Sequence, residues 1–169
     1  LVTVAGTQGP EFRQKVFHEL KDHIEKRNDV STVDTLDIDT EASKLVLWAI
    51  NNKTLNFDSY FRAMRDSDFV FCLPGTYWTP RPVESTACGA IPIIGDDYLH
   101  SYDIPFKDGV NCVIIRKCKV IKNWSTALGK ILTFSDDKIL SMRKNIYDLR
   151  NTHLLPDRYV ERQRIRYGI

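Results

Sequence analysis

Arg81 and Glu84 are the two side chains in this sequence whose types and spacing best suit ligand chemistry. They lie three residues apart, so on a helix they are neighbours on one face. A guanidinium can hold phosphate oxygens bidentately, and a carboxylate can accept hydrogen bonds from the two hydroxyls of a ribose. The same spacing suits an ordinary surface ion pair, which stabilises a protein by under ~1 kcal/mol. The spacing leaves both interpretations open.

The loop before this pair has the composition of an anion-binding site. Gly75 and Thr76 follow an apolar, strand-like run, and Thr79 or Arg81 is expected to cap the helix that comes next. A helix N-terminus beside a glycine loop attracts anions because its free N–H groups and its dipole favour negative charge. Two prolines at the start of this helix remove two possible donors. A bound diphosphate would therefore depend more on Arg81.

The elements that must position these residues are short apolar runs alternating with amphipathic helices. Strands are expected at residues 1–5, within 30–38, and at 68–73, 91–94 and 112–115. Helices are expected at residues 12–24, 40–52, 57–64, 82–89, 124–132 and 136–150, with a terminal helical segment over about 151–169. The first helix should bury a stripe of residues spaced four apart, Phe12, Val16, Leu20 and Ile24, and Ser135 is expected to cap the helix over 136–150. The later strands are apolar without alternation, which indicates strands buried on both faces.

This alternation predicts an α/β fold, a doubly wound and mainly parallel sheet with helices on both faces. The 169 residues, of which 43% are hydrophobic and 27% charged, suit a single domain over residues 1–169. In such folds ligands bind beyond the carboxyl ends of the strands, where the strand order reverses. We therefore expect the ligand at the loops 6–10, 74–80 and 95–105, with Gly6 among its contacts.

Charge and hydropathy exclude several classes of partner. With 24 basic and 22 acidic residues, the net charge of +2 gives no general attraction to nucleic acid. The arginines at positions 158–166 are expected on the solvated side of a terminal helix that packs by its apolar side. No apolar run approaches the ~20 residues that cross a bilayer, and no signal peptide is expected.

Metal and nucleophile chemistry have little support in the sequence. The four cysteines lack zinc-site spacing, and Cys72 and Cys112 lie in strand-like runs, so we expect structural cysteines. The four histidines form no motif, and we assign none a catalytic role. Asp96 and Asp97 could bind Mg²⁺, but an adjacent acidic pair in a loop is usually solvated. We predict no metal site.

Residues 58–150 resemble the carboxyl-terminal, nucleotide-sugar-binding domain of exostosin-type glycosyltransferases, which form glycosyltransferase family 47. The resemblance rests on the order and spacing of SDFVFCLPG, RPVEST, CGAIPIIGDD and DIPF, with SYFRAMRDS before them and DDKILSMRKNIYDLR after them. Pro82, Ser85 and Ala90 depart from the family pattern. The order of a basic residue, an acidic residue and an Ile-Pro strand is also similar to α1,3-fucosyltransferases, which use a GDP-sugar. The donor nucleotide stays open between UDP and GDP.

The resemblance implies a Rossmann-like half of a GT-B fold and a set of binding roles. Arg81 would bind the diphosphate, and Glu84 would bind the ribose of the donor. Gly75 and its neighbours would form the loop beside the diphosphate, and Asp96 would lie near the sugar. The implied reaction transfers a sugar, with inversion, from a nucleotide-sugar, UDP-linked in the family, to a glycan hydroxyl. The nucleotide-sugar is a substrate and no cofactor is required.

The same resemblance implies a second, acceptor-side lobe that supplies the general base. A chain of this length is too short to include that lobe in full, so we expect it to lie elsewhere and assign no catalytic residue. The location implied is the Golgi lumen for a typical eukaryotic member and the cytoplasm for a microbial or viral one.

Two alternatives to an active glycosyltransferase remain open from the residues. One is a flavodoxin-like binding or regulatory domain with no chemistry of its own. A receiver domain would carry an acidic pair after the first strand, and Ala5-Gly6-Thr7 lacks it. The other is a catalytically inactive domain that binds a sugar nucleotide.

Overall fold

The short apolar runs of this chain become the strands of one parallel sheet in its computed structural model. The structure describes residues 2–5, 11–33, 45–49, 57–73, 79–101 and 103–168. The strands are β1 (Val2–Ala5), β2 (Ser31–Val33), β3 (Leu45–Ala49), β4 (Phe69–Cys72), β5 (Ile91–Gly95) and β6 (Val113–Ile115). The helices are α1 (Glu11–Glu25), α2 (Phe57–Asp66), α3 (Arg81–Cys88), α4 (Lys122–Ile131), α5 (Asp136–Leu149) and α6 (Pro156–Tyr167).

The strand order places a topological switch point between β1 and β4. Among the described residues the strands pair as β2-β3-β1-β4-β5-β6, and each of these pairs is parallel. The chain adds β2 and β3 on one side of β1, then crosses to β4, β5 and β6 on the other. The order therefore reverses between β1 and β4, and their carboxyl ends form the switch point. The predicted doubly wound α/β fold is confirmed.

The two faces of β4 show how helices cover the sheet. Successive strand side chains point to opposite faces. Phe71 packs toward Trp124 of α4, with ring centroids 6.4 Å apart, whereas Val70 lies in a cluster with Met64 of α2. All four residues of β4 are buried, as its unbroken apolar run predicts.

The helix predictions from apolar periodicity hold where a buried stripe runs for several turns. In α1 the predicted stripe is buried at Val16, Leu20 and Ile24. The predicted cap of α5 is also confirmed, since the Ser135 hydroxyl accepts the N–H of Lys138 at 3.3 Å. The helices expected over residues 57–64, 82–89 and 124–132 correspond to α2, α3 and α4.

The helix expected over residues 40–52 is wrong in the part that the structure describes, because Leu45–Ala49 is strand β3. It pairs in parallel with β1 on one side and with β2 on the other. A five-residue apolar run is too short for its periodicity to separate a strand from a buried helix. The choice was made by backbone pairing with strands distant in sequence.

Two described apolar side chains of the terminal helix α6 are exposed, although we expected this helix to pack by its apolar side. Val160 and Ile165 are 48% and 75% exposed. These two residues lie five apart, so a helix places them on different faces. A π-helical turn, Arg150–Leu154, connects this helix to α5. In the described parts of the chain, no helix combines the length and apolarity needed to cross a membrane.

Candidate functional site

The start of α3 brings the predicted pair together with a third residue that the sequence analysis missed, Tyr60 of α2. Tyr60 Oη donates a hydrogen bond to Glu84 Oε2 at 2.6 Å. Arg81 Cζ lies 5.9 Å from the centroid of the Tyr60 ring, within the range of a cation–π interaction. We call Tyr60, Arg81 and Glu84 the Tyr60 cluster. The hydrogen bond that Glu84 accepts thus comes from another helix.

Among the described residues no side chain caps the first turn of α3, which corrects the expectation that Thr79 or Arg81 would do so. The N-cap residue is Pro80, whose carbonyl accepts the N–H groups of Val83 at 2.9 Å and Glu84 at 3.0 Å. Thr79, just before it, is buried at 6% exposure. Proline suits this place because its φ is already helical and a first-turn N–H has no helical acceptor.

This closed first turn limits what α3 can offer an anion through its backbone. Pro82 has no N–H, and those of Val83 and Glu84 are already bonded to the Pro80 carbonyl. An anion at this helix start would therefore depend on the guanidinium of Arg81, which agrees with the prediction from the two prolines.

Buried hydroxyls of α3 bond within the helix, and one of them also contacts the end of β4. Ser85 and Thr86 are fully buried, and both hydroxyls donate to the Pro82 carbonyl, at 3.2 and 2.7 Å. The Ser85 hydroxyl also lies 3.9 Å from the thiol of Cys72, the last residue of β4. Because Arg81 and Glu84 lie in the same short helix, the Tyr60 cluster lies near the carboxyl end of β4, the strand that borders the switch point.

Tyr60 is a neutral donor in this cluster. Its side chain is half-buried, and burial, together with the hydrogen bond to Glu84, raises the pKa of Tyr60 well above its usual value, although Arg81 acts in the opposite direction. Within the part of the chain that the structure describes, Glu84 Oε1 has no hydrogen-bond partner. The carboxylate thus keeps one oxygen available to a ligand. A sequence signal existed, since a half-buried tyrosine on an amphipathic helix needs a partner for its hydroxyl.

Asp96 has a structural role that its position after β5 did not reveal. Its Oδ2 accepts the N–H of Lys117 at 2.8 Å, and its Oδ1 accepts those of Cys118 and Asp97, each at 3.1 Å. Desolvation raises the pKa of Asp96, but these N–H groups lower it by more, so that the pKa lies below its usual value. Lys117 has a φ of 51°, a conformation that is uncommon for a non-glycine residue. Asp96 therefore holds a strained turn after β6.

The same turn contains a group of possible metal ligands, Asp96, Asp97 and Cys118, whose ligand atoms lie within 4.8 Å of one another. Asp96 is engaged by backbone N–H groups, and Asp97 pairs with Lys119 Nζ at 3.1 Å. Burial raises the pKa of the Cys118 thiol to about 11, which disfavours the thiolate that metals bind. We assign no metal to this group.

The remaining predictions concern the cysteines, which the structure describes, and glycine loops that lie outside the described residues. The four cysteines are free thiols. Burial raises the pKa of both Cys72 and Cys112 to about 12, as expected of packing cysteines. Gly6, Gly75 and Thr76 lie outside the described residues, so their binding roles stay predictions.

No family model matches this chain, and no curated protein matches it either. The fold class alone is compatible with many unrelated activities. The assignment of a function therefore rests on the chemistry of the Tyr60 cluster and on its place at the sheet edge.

Proposed function

We propose that this chain is the donor-binding domain of a glycosyltransferase, which holds a nucleotide-linked sugar for transfer to a glycan hydroxyl. The observation that carries the proposal is the Tyr60 cluster, where a guanidinium and a carboxylate with one open oxygen share the start of α3. This helix start lies near the carboxyl end of β4, at the edge where doubly wound sheets bind ligands. The sequence resemblance to glycosyltransferase family 47 supports the same class.

The two ligand-binding side chains divide the nucleotide between them. Arg81 binds the diphosphate, because its planar donors match phosphate oxygens and the backbone of this helix start supplies few N–H groups. Glu84 accepts a hydrogen bond from a ribose hydroxyl through Oε1. UDP is the donor nucleotide that the resemblance favours, and GDP is the alternative.

In the transfer step the acceptor hydroxyl attacks the anomeric carbon of the sugar while the bond from that carbon to the diphosphate oxygen breaks. A single displacement inverts the anomeric centre. The leaving diphosphate takes the bonding electrons, and Arg81 stabilises the negative charge that develops on it. The hydroxyl proton passes to a general base of the acceptor-side lobe. The nucleotide-sugar is consumed as a substrate, and no metal or cofactor takes part.

Calorimetric titration tests this function with UDP, GDP, ADP, uridine and pyrophosphate. We expect UDP or GDP to bind, ADP to bind much more weakly, and bound nucleotide at 100 times its Kd to raise the free energy of unfolding by about 2.7 kcal/mol. Arg81→Ala should weaken the diphosphate ligands and spare uridine. Glu84→Gln should weaken ribonucleotides roughly ten- to hundredfold and spare pyrophosphate.

Arg65→Ala is the matched control, because it removes an arginine of α2 whose side chain is 68% exposed and lies beside Asp66. It should leave each affinity unchanged. Equal losses for nucleoside and pyrophosphate in both site variants would indicate general disruption of the helix start. No response to any nucleotide would overturn the proposal and favour a regulatory domain without ligand chemistry.

A further inference from the structure

We propose that Tyr60 is a positioning residue for nucleotide binding, which aims the Glu84 carboxylate at the ribose through its hydroxyl and supports Arg81 through its ring. This inference rests on the proposed function of the Tyr60 cluster. Tyr60 lies on α2, whereas both ligand-binding residues lie on α3, and α2 and α3 pack against each other. One side chain therefore couples the ribose contact and the diphosphate contact to the same neighbouring helix.

The hydroxyl of Tyr60 decides which oxygen of Glu84 meets the ligand. The distance of 2.6 Å from Tyr60 Oη to Glu84 Oε2 is in the range of a charge-assisted hydrogen bond to a carboxylate. A glutamate on a helix surface otherwise samples several rotamers, and ordering it on binding would weaken the ligand's affinity. With Oε2 held, Oε1 is the oxygen that points to a ribose hydroxyl.

The ring of Tyr60 is itself held in place by the apolar layer between α2 and the sheet. It packs against the cluster of Met64, Val70 and Ala90 and makes an edge-on contact with Phe61, with ring centroids 5.3 Å apart. A positioning group of this kind acts only if its own rotamer is locked by packing. Tyr60 meets that condition because its half-buried ring packs against buried residues and its hydroxyl bonds to Glu84.

The protonation state of Tyr60 keeps the arrangement intact over the working pH range. Burial and the bond to Glu84 raise the pKa of Tyr60 above its usual value, so the phenol remains a donor. The groups facing it are the Glu84 carboxylate, the Arg81 guanidinium and the buried Cys72 thiol, whose pKa is raised to about 12. Glu84 consequently accepts one hydrogen bond from the Tyr60 hydroxyl and a second one from the ribose of the ligand.

Two substitutions separate the contribution of the Tyr60 hydroxyl to binding from that of its ring. Tyr60→Phe removes the bond to Glu84 and keeps the face on which Arg81 lies. Tyr60→Leu removes both. The ligands to titrate are UDP, GDP, their 2′,3′-dideoxy analogues, which lack the ribose hydroxyls, and pyrophosphate.

We expect Tyr60→Phe to weaken UDP or GDP roughly three- to tenfold and to leave the dideoxy analogues and pyrophosphate unchanged. Tyr60→Leu should in addition weaken pyrophosphate by roughly two- to fivefold, because the guanidinium loses its cation–π contact. In a Glu84→Gln background the Tyr60→Phe effect on UDP should largely disappear, since the hydroxyl acts through the carboxylate. Tyr147→Phe, which deletes a hydroxyl from a 56% exposed ring on α5, should change nothing.

The outcomes distinguish this inference from the function on which it rests. If the unmodified chain binds UDP or GDP and Tyr60→Phe binds them equally well, the role of Tyr60 is overturned and the proposed function stands. Equal losses for UDP and its dideoxy analogue would also overturn it, because a structural defect does not discriminate between them. If the unmodified chain binds no nucleotide, the proposed function fails and the inference fails with it.

Discussion

Glu84 and Asp96 are two carboxylates that follow neighbouring strands of the same sheet, β4 and β5, yet the structure uses them in different ways. Glu84 accepts one hydrogen bond from the side chain of Tyr60 and keeps Oε1 without a partner among the described residues. Both carboxylate oxygens of Asp96 accept hydrogen bonds from backbone N–H groups of a turn. Position after a strand brought both residues to one edge and did not decide their roles.

The difference arises from the donors that surround each carboxylate. Backbone N–H groups in a turn require acceptors, so a carboxylate beside them becomes part of the fold. At Glu84 two nearby N–H groups, those of Val83 and Glu84 itself, are bonded to the Pro80 carbonyl, and the donor described at its carboxylate is the Tyr60 side chain on another helix. A carboxylate without backbone donors is therefore the better candidate for a ligand contact.

The largest expected effect is on folding, from Asp96→Ala. Loss of a carboxylate that holds the strained Lys117 turn should lower the free energy of unfolding by about 1.5–3 kcal/mol, the contribution of hydrogen bonds to a charged group. Nucleotide affinity of the folded variant should not change. Urea unfolding measures the first quantity and calorimetry the second. In Asp97→Ala, the control, loss of a pair with the exposed Lys119 should cost under ~1 kcal/mol. Similar losses of unfolding free energy in Asp96→Ala and Asp97→Ala would contradict the structural role of Asp96.

Glu84→Gln should show the reverse pattern. Its amide oxygen can still accept the Tyr60 hydroxyl, so we expect the free energy of unfolding to fall by only about 0.5–1 kcal/mol, the difference between a charged and a neutral hydrogen bond. Affinity for a ribonucleotide should fall much more than stability does. Urea unfolding of Glu84→Gln beside Asp96→Ala checks the order. A larger loss of stability at Glu84 than at Asp96 would contradict the assigned roles.

Acidification should reduce the structural contribution of Asp96. Because its pKa in the folded state lies below the unfolded value of about 3.9, Asp96 stabilises the protein above that pH, and the contribution is lost as the pH falls through the folded pKa. The measurement is the difference in unfolding free energy between the unmodified chain and Asp96→Asn at neutral pH and below pH 4. We expect the difference to shrink in acid. A difference that is constant with pH would mean that the charge of Asp96 is not what holds the turn.

The smallest expected effect is that of metal removal. EDTA should change nucleotide affinity by less than about twofold, because the oxygens of Asp96 are held by backbone N–H groups and the proposed ligand contacts are Arg81 and Glu84. Titration with UDP or GDP before and after chelation measures this. A large loss that Mn²⁺ restores would instead make Asp96 and Asp97 metal ligands and would favour a different class of transferase.

Local pattern was sufficient for the elements whose residues carry their own signal. The unbroken apolar run of β4 and the four-residue spacing of Val16, Leu20 and Ile24 in α1 each predicted the element that forms. The serine cap of α5 was also readable, because a cap bonds within its own turn. The alternation of such elements was enough for the α/β class and for the sheet edge where a ligand is expected.

Tertiary structure decided the features that depend on partners distant in the chain. Leu45–Ala49 becomes β3 because β1 and β2 supply its hydrogen bonds, and its short apolar run carries no such information. Tyr60 reaches Glu84 only because α2 packs against α3, and Asp96 reaches Lys117 only because the turn after β6 returns to the end of β5. Residue type and local spacing therefore determined which groups stand at the edge of the sheet. Their hydrogen-bond partners came from contacts between elements far apart in sequence, and these partners decide whether a carboxylate is held by the backbone or keeps an open oxygen.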